Sequence, residues 1–177
     1  HNVAAVLTQP DRPAGRGQAL TASPVKQSAL RLGLPVHQPE RIRRPEALEL
    51  LSSLQLDAMV VVGYGQIIPQ AILDVAPLGI INVHASLLPK YRGAAPIQWA
   101  IANGETRSGV TTMRIDAGLD TGDILLKAET GIGFEETAPE LSARLARMGA
   151  DLLLETLTGL ENRTIVPEPQ DNSLAVS

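Results

Sequence analysis

Short apolar runs alternate with segments of helical character along this chain, and that alternation limits the fold more than any other feature. Asn2–Thr8 (NVAAVLT) is apolar and β-branched and ends at the breaker-rich Gln9–Gly17 (QPDRPAGRG), which reads as strand followed by loop. Ser23-Pro24 places a good N-cap before a proline at the first helical position, and Gly33 stands where a helix through Leu32 would stop. An extended piece at Pro35–Gln38, a helix over Pro45–Leu54 and a strand at Asp57–Val62 (DAMVVV) continue the pattern. Beyond Gly63–Gln66 the reading is a short helix near Pro69–Val75, a buried strand at Gly79–His84 (GIINVH) and a helix at Pro96–Ala102. Two strands at Gly109–Ile115 and Asp123–Ala128 are joined by the turn-rich Asp116–Gly122. Leu141, Leu145, Met148, Leu152 and Leu153 then recur at helical spacing in a final helix over Ala138–Leu157. Such alternation predicts an α/β fold, a mostly parallel sheet with helices on both faces, whose ligands bind beyond the carboxyl ends of the strands.

At 177 residues and 44% hydrophobic, the chain is sized for one domain with a core. No uncharged apolar run reaches membrane-spanning length, and His1-Asn2 do not resemble the start of a signal peptide. The absence of cysteine excludes disulfides and thiolate chemistry and fits a reducing cytoplasm or an organelle matrix. Only Phe134, Trp99, Tyr64 and Tyr91 are aromatic, too few for a surface that stacks base after base. The net charge of −4 hides an asymmetry: residues 1–45 carry +5 and residues 46–177 carry −9. The missing initial methionine, the start directly on a strand and the polar stretch from Glu168 to Ser177 lead us to expect a piece of a longer protein.

The chemistry-bearing residues concentrate in Ile81–Pro96 (INVHASLLPKYRGAAP). Asn82 and His84 are two apart on a strand, so they share a face at its carboxyl end. An amide can donate to an oxygen gaining negative charge, while an imidazole, with a reference pKa of about 6.5, handles a proton near neutrality. Taken alone, a histidine on an apolar strand is more often a hydrogen-bonded structural residue than a catalytic one. The loop DAGLDTGDI offers Asp116, Asp120 and Asp123. One of these could orient the imidazole, all three could be turn formers, and spacing does not choose among them. Gly63-Tyr64-Gly65-Gln66 lacks the third glycine of a dinucleotide loop, since Ile68 occupies that place, although its backbone could bond a flat heterocycle. His1, His37 and His84 are isolated and no metal site is expected.

QPDRPAGRG, SPVK at Ser23–Lys26, PVHQP at Pro35–Pro39, VVVGYGQIIP at Val60–Pro69, INVHASLLPKYRGAAPIQWAI at Ile81–Ile101 and GLDTGDIL at Gly118–Leu125 together resemble the folate-dependent formyltransferase family. QPDRPAGRG and SPVK point to its tRNA-directed branch. The resemblance implies a Rossmann-like formyltransferase fold and transfer of a formyl group from 10-formyltetrahydrofolate to the amino group of methionyl initiator tRNA at translation initiation. It assigns catalysis to Asn82, His84 and Asp120. It assigns folate contacts to Ser86, Leu87, Leu88 and Pro89 and to Gly63, Tyr64, Gly65, Gln66, Ile67 and Ile68. Arg12 and Arg16 become tRNA contacts on a loop that orders on binding, whereas His37, Arg41, Arg43 and Arg44 read as a solvated face. By the same resemblance, residues 1–167 are a catalytic domain without its first β-α unit, and 168–177 begin a linker to a carboxyl-terminal domain not in the chain. A monomer is expected. The competing readings are a sibling enzyme acting on a small-molecule amine and a folate-binding fragment without useful turnover.

Overall fold

In the computed structural model, which describes residues 1–14 and 18–176, Pro24 opens the first helix, α1 (Pro24–Arg31), and the Ser23 hydroxyl accepts the Lys26 N–H in front of it. Gly33, at φ +67°, turns the chain out of the helix as expected. This β-loop-α unit runs from β1 (Val6–Leu7) to β4 (Val36–His37), which pair in parallel. It belongs to one of two compact units, His1–Asp57 with Gly63–Pro77. The helices α2 (Pro45–Ser53) and α3 (Gln70–Leu73) complete this unit, with Ala47, Leu51 and Ile72 buried.

The stretch Gln9–Gly17, read as loop, contains a short strand instead, paired with a second one beyond it. The first, β2 (Arg12–Ala14), pairs antiparallel with β3 (Ala19–Thr21), and Pro13 stands opposite Leu20. A two-stranded ribbon leaves one edge of each strand unpaired, so a residue lacking an N–H is tolerated there, and breaker content alone hides the strand. Asp11 anchors the base of this ribbon. Its carboxylate accepts Lys26 Nζ at 2.6 Å and Gln38 Nε2 at 2.7 Å, and these bonds hold its pKa below the ordinary carboxylate range. The QPD and SPVK motifs thereby meet through Asp11 and Lys26.

The second unit, Ala58–Val62 with Leu78 onward, holds a four-stranded sheet in the order β5 (Met59–Val61), β6 (Ile80–His84), β7 (Arg107–Arg114), β8 (Ile124–Gly131). β5–β6 is parallel, and β6–β7 and β7–β8 are antiparallel. The fold is α/β as predicted, with mixed pairing in this sheet because the strand-turn-strand at its far side returns directly.

After α4 (Pro96–Ala102), the long helix α5 (Ala138–Glu161) starts with a reciprocal cap: the Thr137 side chain accepts from the N3 backbone and the Glu140 carboxylate accepts the Thr137 N–H at 2.9 Å. Leu141, Leu145 and Leu152 pack against Val110 of β7, and Leu160 packs against Ile81 and Leu125. Each such leucine contributes about 1.5–3 kcal/mol by leaving water. Gly149 lets the helix come close, since a Cβ there would stand 3.0 Å from Val83. Ile81 and Val83 therefore face α5, and strand alternation turns Asn82 and His84 to the opposite face.

Candidate active site

On that opposite face Asn82, His84 and Asp120 meet. Asn82 Nδ2 donates to Asp120 Oδ1 at 3.3 Å, and His84 Nδ1 lies 3.5 Å from Asp120 Oδ2. The same Oδ2 accepts the Gly93 N–H at 2.8 Å. His84 is 7% exposed, and its Nε2 is 2.7 Å from the Tyr91 carbonyl. A carbonyl only accepts, so Nε2 carries the proton and Nδ1 is the nitrogen facing the carboxylate.

The loop between β7 and β8 decides which of its acids arrives there. Asp116 closes the turn by accepting Gly118 N–H at 3.0 Å and the Thr121 hydroxyl at 2.8 Å, and the Asp123 carbonyl accepts Arg114 N–H. Asp120, at φ +51°, projects to the imidazole. Gly122 lies so close to the end of β7 that a Cβ would fall 1.7 Å from the Arg114 carbonyl oxygen.

Sequence reasoning missed the support for His84. Tyr91 is buried at 8% exposure with φ +57°; its hydroxyl donates to Glu105 at 2.8 Å and accepts from Asn103 Nδ2 at 3.1 Å. Lys90 Nζ pairs with the same Glu105 oxygen at 3.0 Å. The Tyr91 hydroxyl and then Lys90 hold the Glu105 carboxyl below its usual range. Thr111 was also missed: its hydroxyl donates to the Ser86 carbonyl at 2.7 Å and accepts Leu88 N–H at 3.1 Å, fixing the loop after β6. Tyr91 lay within the motif already singled out, but its contribution is a backbone oxygen, which no residue pattern signals.

Of the four residues expected to touch folate after β6, Leu88 is fully buried against Met113 and Ile124, and the Ser86 hydroxyl donates to the Lys90 carbonyl at 2.6 Å. Their side chains are thus engaged internally, which leaves Leu87, Pro89 and the main chain. In the other unit, Tyr64–Ile67 line an open cleft of about 690 Å³ with Gln9, Arg12 and Glu40–Arg43. Gln66 holds its wall together, accepting Ile42 N–H at 2.8 Å and donating to the Glu40 carbonyl at 3.3 Å. Ile67 stands fully out of the protein. Arg12 is exposed and shares the cleft with the exposed Arg41 and Arg43, whereas Arg16 lies outside the described residues. Among the described residues no group of three or more His, Cys, Asp or Glu is placed to hold a metal ion, and no helix is long and apolar enough to cross a membrane.

An amide donor, an imidazole and a carboxylate at the end of a buried strand form a site for stabilising an oxyanion while moving a proton. The formyl transferase family model matches residues 1–157, and the chain belongs to that family. A methionyl-tRNA formyltransferase of Solibacter usitatus is 73% identical over 99% of this chain and 56% of that protein. Another, from Koribacter versatilis, is 61% identical over 98% and 56%. The chain spans about half the length of the curated relatives it matches. Among solved structures, phosphoribosylglycinamide formyltransferase from Bacillus halodurans superposes with a TM-score of 0.76 at 26% identity, covering 90% of this chain and 80% of that one. The formyltransferase PseJ from Anoxybacillus kamchatkensis, solved with a formamido sugar nucleotide and tetrahydrofolate, superposes at 0.66 with 25% identity over 94% and 80%.

Proposed function

We propose that this chain carries the catalytic machinery of an enzyme that moves the formyl group of 10-formyltetrahydrofolate onto the amino group of methionyl initiator tRNA, acting as a monomer in the cytoplasm or an organelle matrix. The observation that carries the reading is the convergence of Asn82, His84 and Asp120 in a chain so similar to named methionyl-tRNA formyltransferases.

The amine nitrogen bonds to the formyl carbon, whose oxygen becomes an oxyanion, and the bond from that carbon to the folate nitrogen then breaks. Asn82 has two amide hydrogens. One serves Asp120 and the other is available to the oxyanion, an interaction worth roughly 3–4 kcal/mol in a water-poor site. The proton given up by the amine is held at His84 Nδ1. There it turns the 3.5 Å contact with Asp120 into a charge-assisted bond, and from there it passes to the departing nitrogen. Tyr91 and Gly93 keep the ring and the carboxylate from turning away.

For the folate two candidate segments are retained, Ser86–Pro89 and Gly63–Ile68, each testable by itself through its effect on donor KM. Arg12 and Arg16 are the candidate tRNA contacts. PseJ, crystallised with tetrahydrofolate, supports the donor assignment. The 73% and 61% identities to tRNA-directed enzymes favour that acceptor over a small amine.

The test is formyl transfer to charged initiator tRNA by this chain, beside Arg12→Ala and a small-amine acceptor. Arg12→Ala should raise the KM for tRNA and flatten its salt dependence by about one phosphate contact. Equal turnover of a small amine by both proteins, with no transfer to tRNA, would overturn the acceptor assignment.

A further inference from the structure

The polar stretch after α5 does not stand apart from the site. Glu168 and Ile124 exchange backbone bonds at 2.9 and 2.8 Å, which brings Gln170 to the loop that carries Asp120. The half-buried Gln170 side chain is hydrogen-bonded at both the nitrogen and the oxygen of its amide. Nε2 donates to the Asp120 carbonyl at 2.9 Å and to the Gly122 carbonyl at 2.8 Å. Oε1 accepts both Nε and Nη2 of Arg92 at 3.0 and 2.8 Å. Arg92 also donates to Asn172 Oδ1 at 2.9 Å and, through its N–H, to the Val176 carbonyl at 2.9 Å.

One amide thus joins the two motif loops, that of Arg92 and Gly93 and that of Asp120. It does so beside the bond from Gly93 N–H to the Asp120 carboxylate. Asp120 sits at φ +51°, a left-handed conformation that is less costly for aspartate than for most residues but still benefits from being held, and the carbonyl bonded by Gln170 is Asp120's own. We propose that Gln170 is a positioning residue for formyl transfer, whose amide hydrogens hold the Asp120 backbone so that the carboxylate faces His84. The proposal rests on the reading of Asp120 as a member of the reacting group.

Gln170→Glu separates this from a packing role, since it keeps an acceptor for Arg92 and puts an acceptor in place of both donors. In Gln170→Glu and Gln170→Ala alike, kcat should fall ten- to a hundredfold with donor KM within twofold. Amide exchange at Gly93 should accelerate at least tenfold while that at Val110 in β7 is unchanged. In an Asp120→Ala background Gln170→Glu should cost no further kcat. Wild-type kcat together with wild-type Gly93 exchange in Gln170→Glu overturns the proposal, as does faster exchange at Gly93 and Val110 alike. Should the unaltered chain transfer no formyl group, it is a fragment without useful turnover, the kcat arm passes to the chain extended to the length of its relatives, and Gly93 exchange in this chain still decides whether Gln170 holds Asp120.

Discussion

His84 Nε2 donates to the carbonyl of Tyr91 at 2.7 Å, and this bond assigns the ring's two nitrogens to separate tasks. One is spent on the backbone, and only Nδ1 is left to meet Asp120. The proton chemistry of the site therefore depends on a main-chain oxygen whose position is set by the tyrosine ring and its partners Glu105 and Asn103.

Removing the imidazole or its carboxylate should abolish useful turnover while leaving the fold intact. His84→Ala and Asp120→Ala are each expected to lower kcat by roughly 10²–10⁴. Single-turnover formylation with circular dichroism on the same samples checks this, and near-normal turnover in a folded variant would remove that residue from the mechanism.

Asn82→Ala should lose roughly 10²–10³ in kcat with little change in KM, because the lost bond forms to charge that appears only during reaction. Asn82→Asp should be at least as slow, since it replaces the donor by a second carboxylate beside Asp120. Steady-state kinetics at saturating donor distinguishes these outcomes from a loss of substrate binding.

Gly122→Ala should destabilise by about 3 kcal/mol or more, because its methyl would overlap a backbone oxygen that cannot rotate away. Urea unfolding monitored at Trp99 measures it. A midpoint equal to that of the parent would mean the loop lies further from β7 than described.

Thr156 on α5 is fully buried, and its hydroxyl lies 2.7 Å from that of Thr112 on β7. Thr156→Val keeps the shape and leaves Thr112 one partner short, at a cost of about 1–2 kcal/mol. Thr156→Ser, which keeps the hydroxyl, should cost less of the polar term, and the two melting curves compared at one pH test the difference.

Glu105 makes stability fall in acid. Its bonds from Tyr91 and Lys90 put its folded pKa below the ordinary 4.5. The stabilisation is therefore complete above about 4.5 and disappears as pH drops from there through the lowered value. Glu105→Gln should flatten that limb of a melting-temperature profile between about pH 5 and 3 and leave the neutral-to-basic side parallel to the parent.

How far the residues foretold this arrangement varied with the kind of interaction. The leucine spacing of α5 was local and legible, and the helix runs past the expected Leu157 to Glu161 because Leu160 also finds core. β6 was legible from its apolar run, and with it the shared face of Asn82 and His84. The β2–β3 ribbon was not, since each strand is only three residues long, β2 carries Pro13, and neither has an apolar alternation long enough to signal a strand. Spacing did not separate Asp120 from Asp116 and Asp123; only the resemblance named it, and the turn that Asp116 closes is the physical difference between them. Gln170 lay unremarked in the stretch read as the start of a linker, because its partners on the Asp120 loop are main-chain carbonyls far away in sequence.

The strict interleaving along β6, with Ile81 and Val83 under α5 and Asn82 and His84 on the reverse, ties reactivity to folding by parity. A shift of β6 by a single residue would bury an amide and an imidazole beneath the helix and leave isoleucine and valine in their place. Such a misfolded state has no partial activity, so the proportion of molecules able to react equals the proportion that folded in register. Titrating active sites would then count correctly folded protein directly.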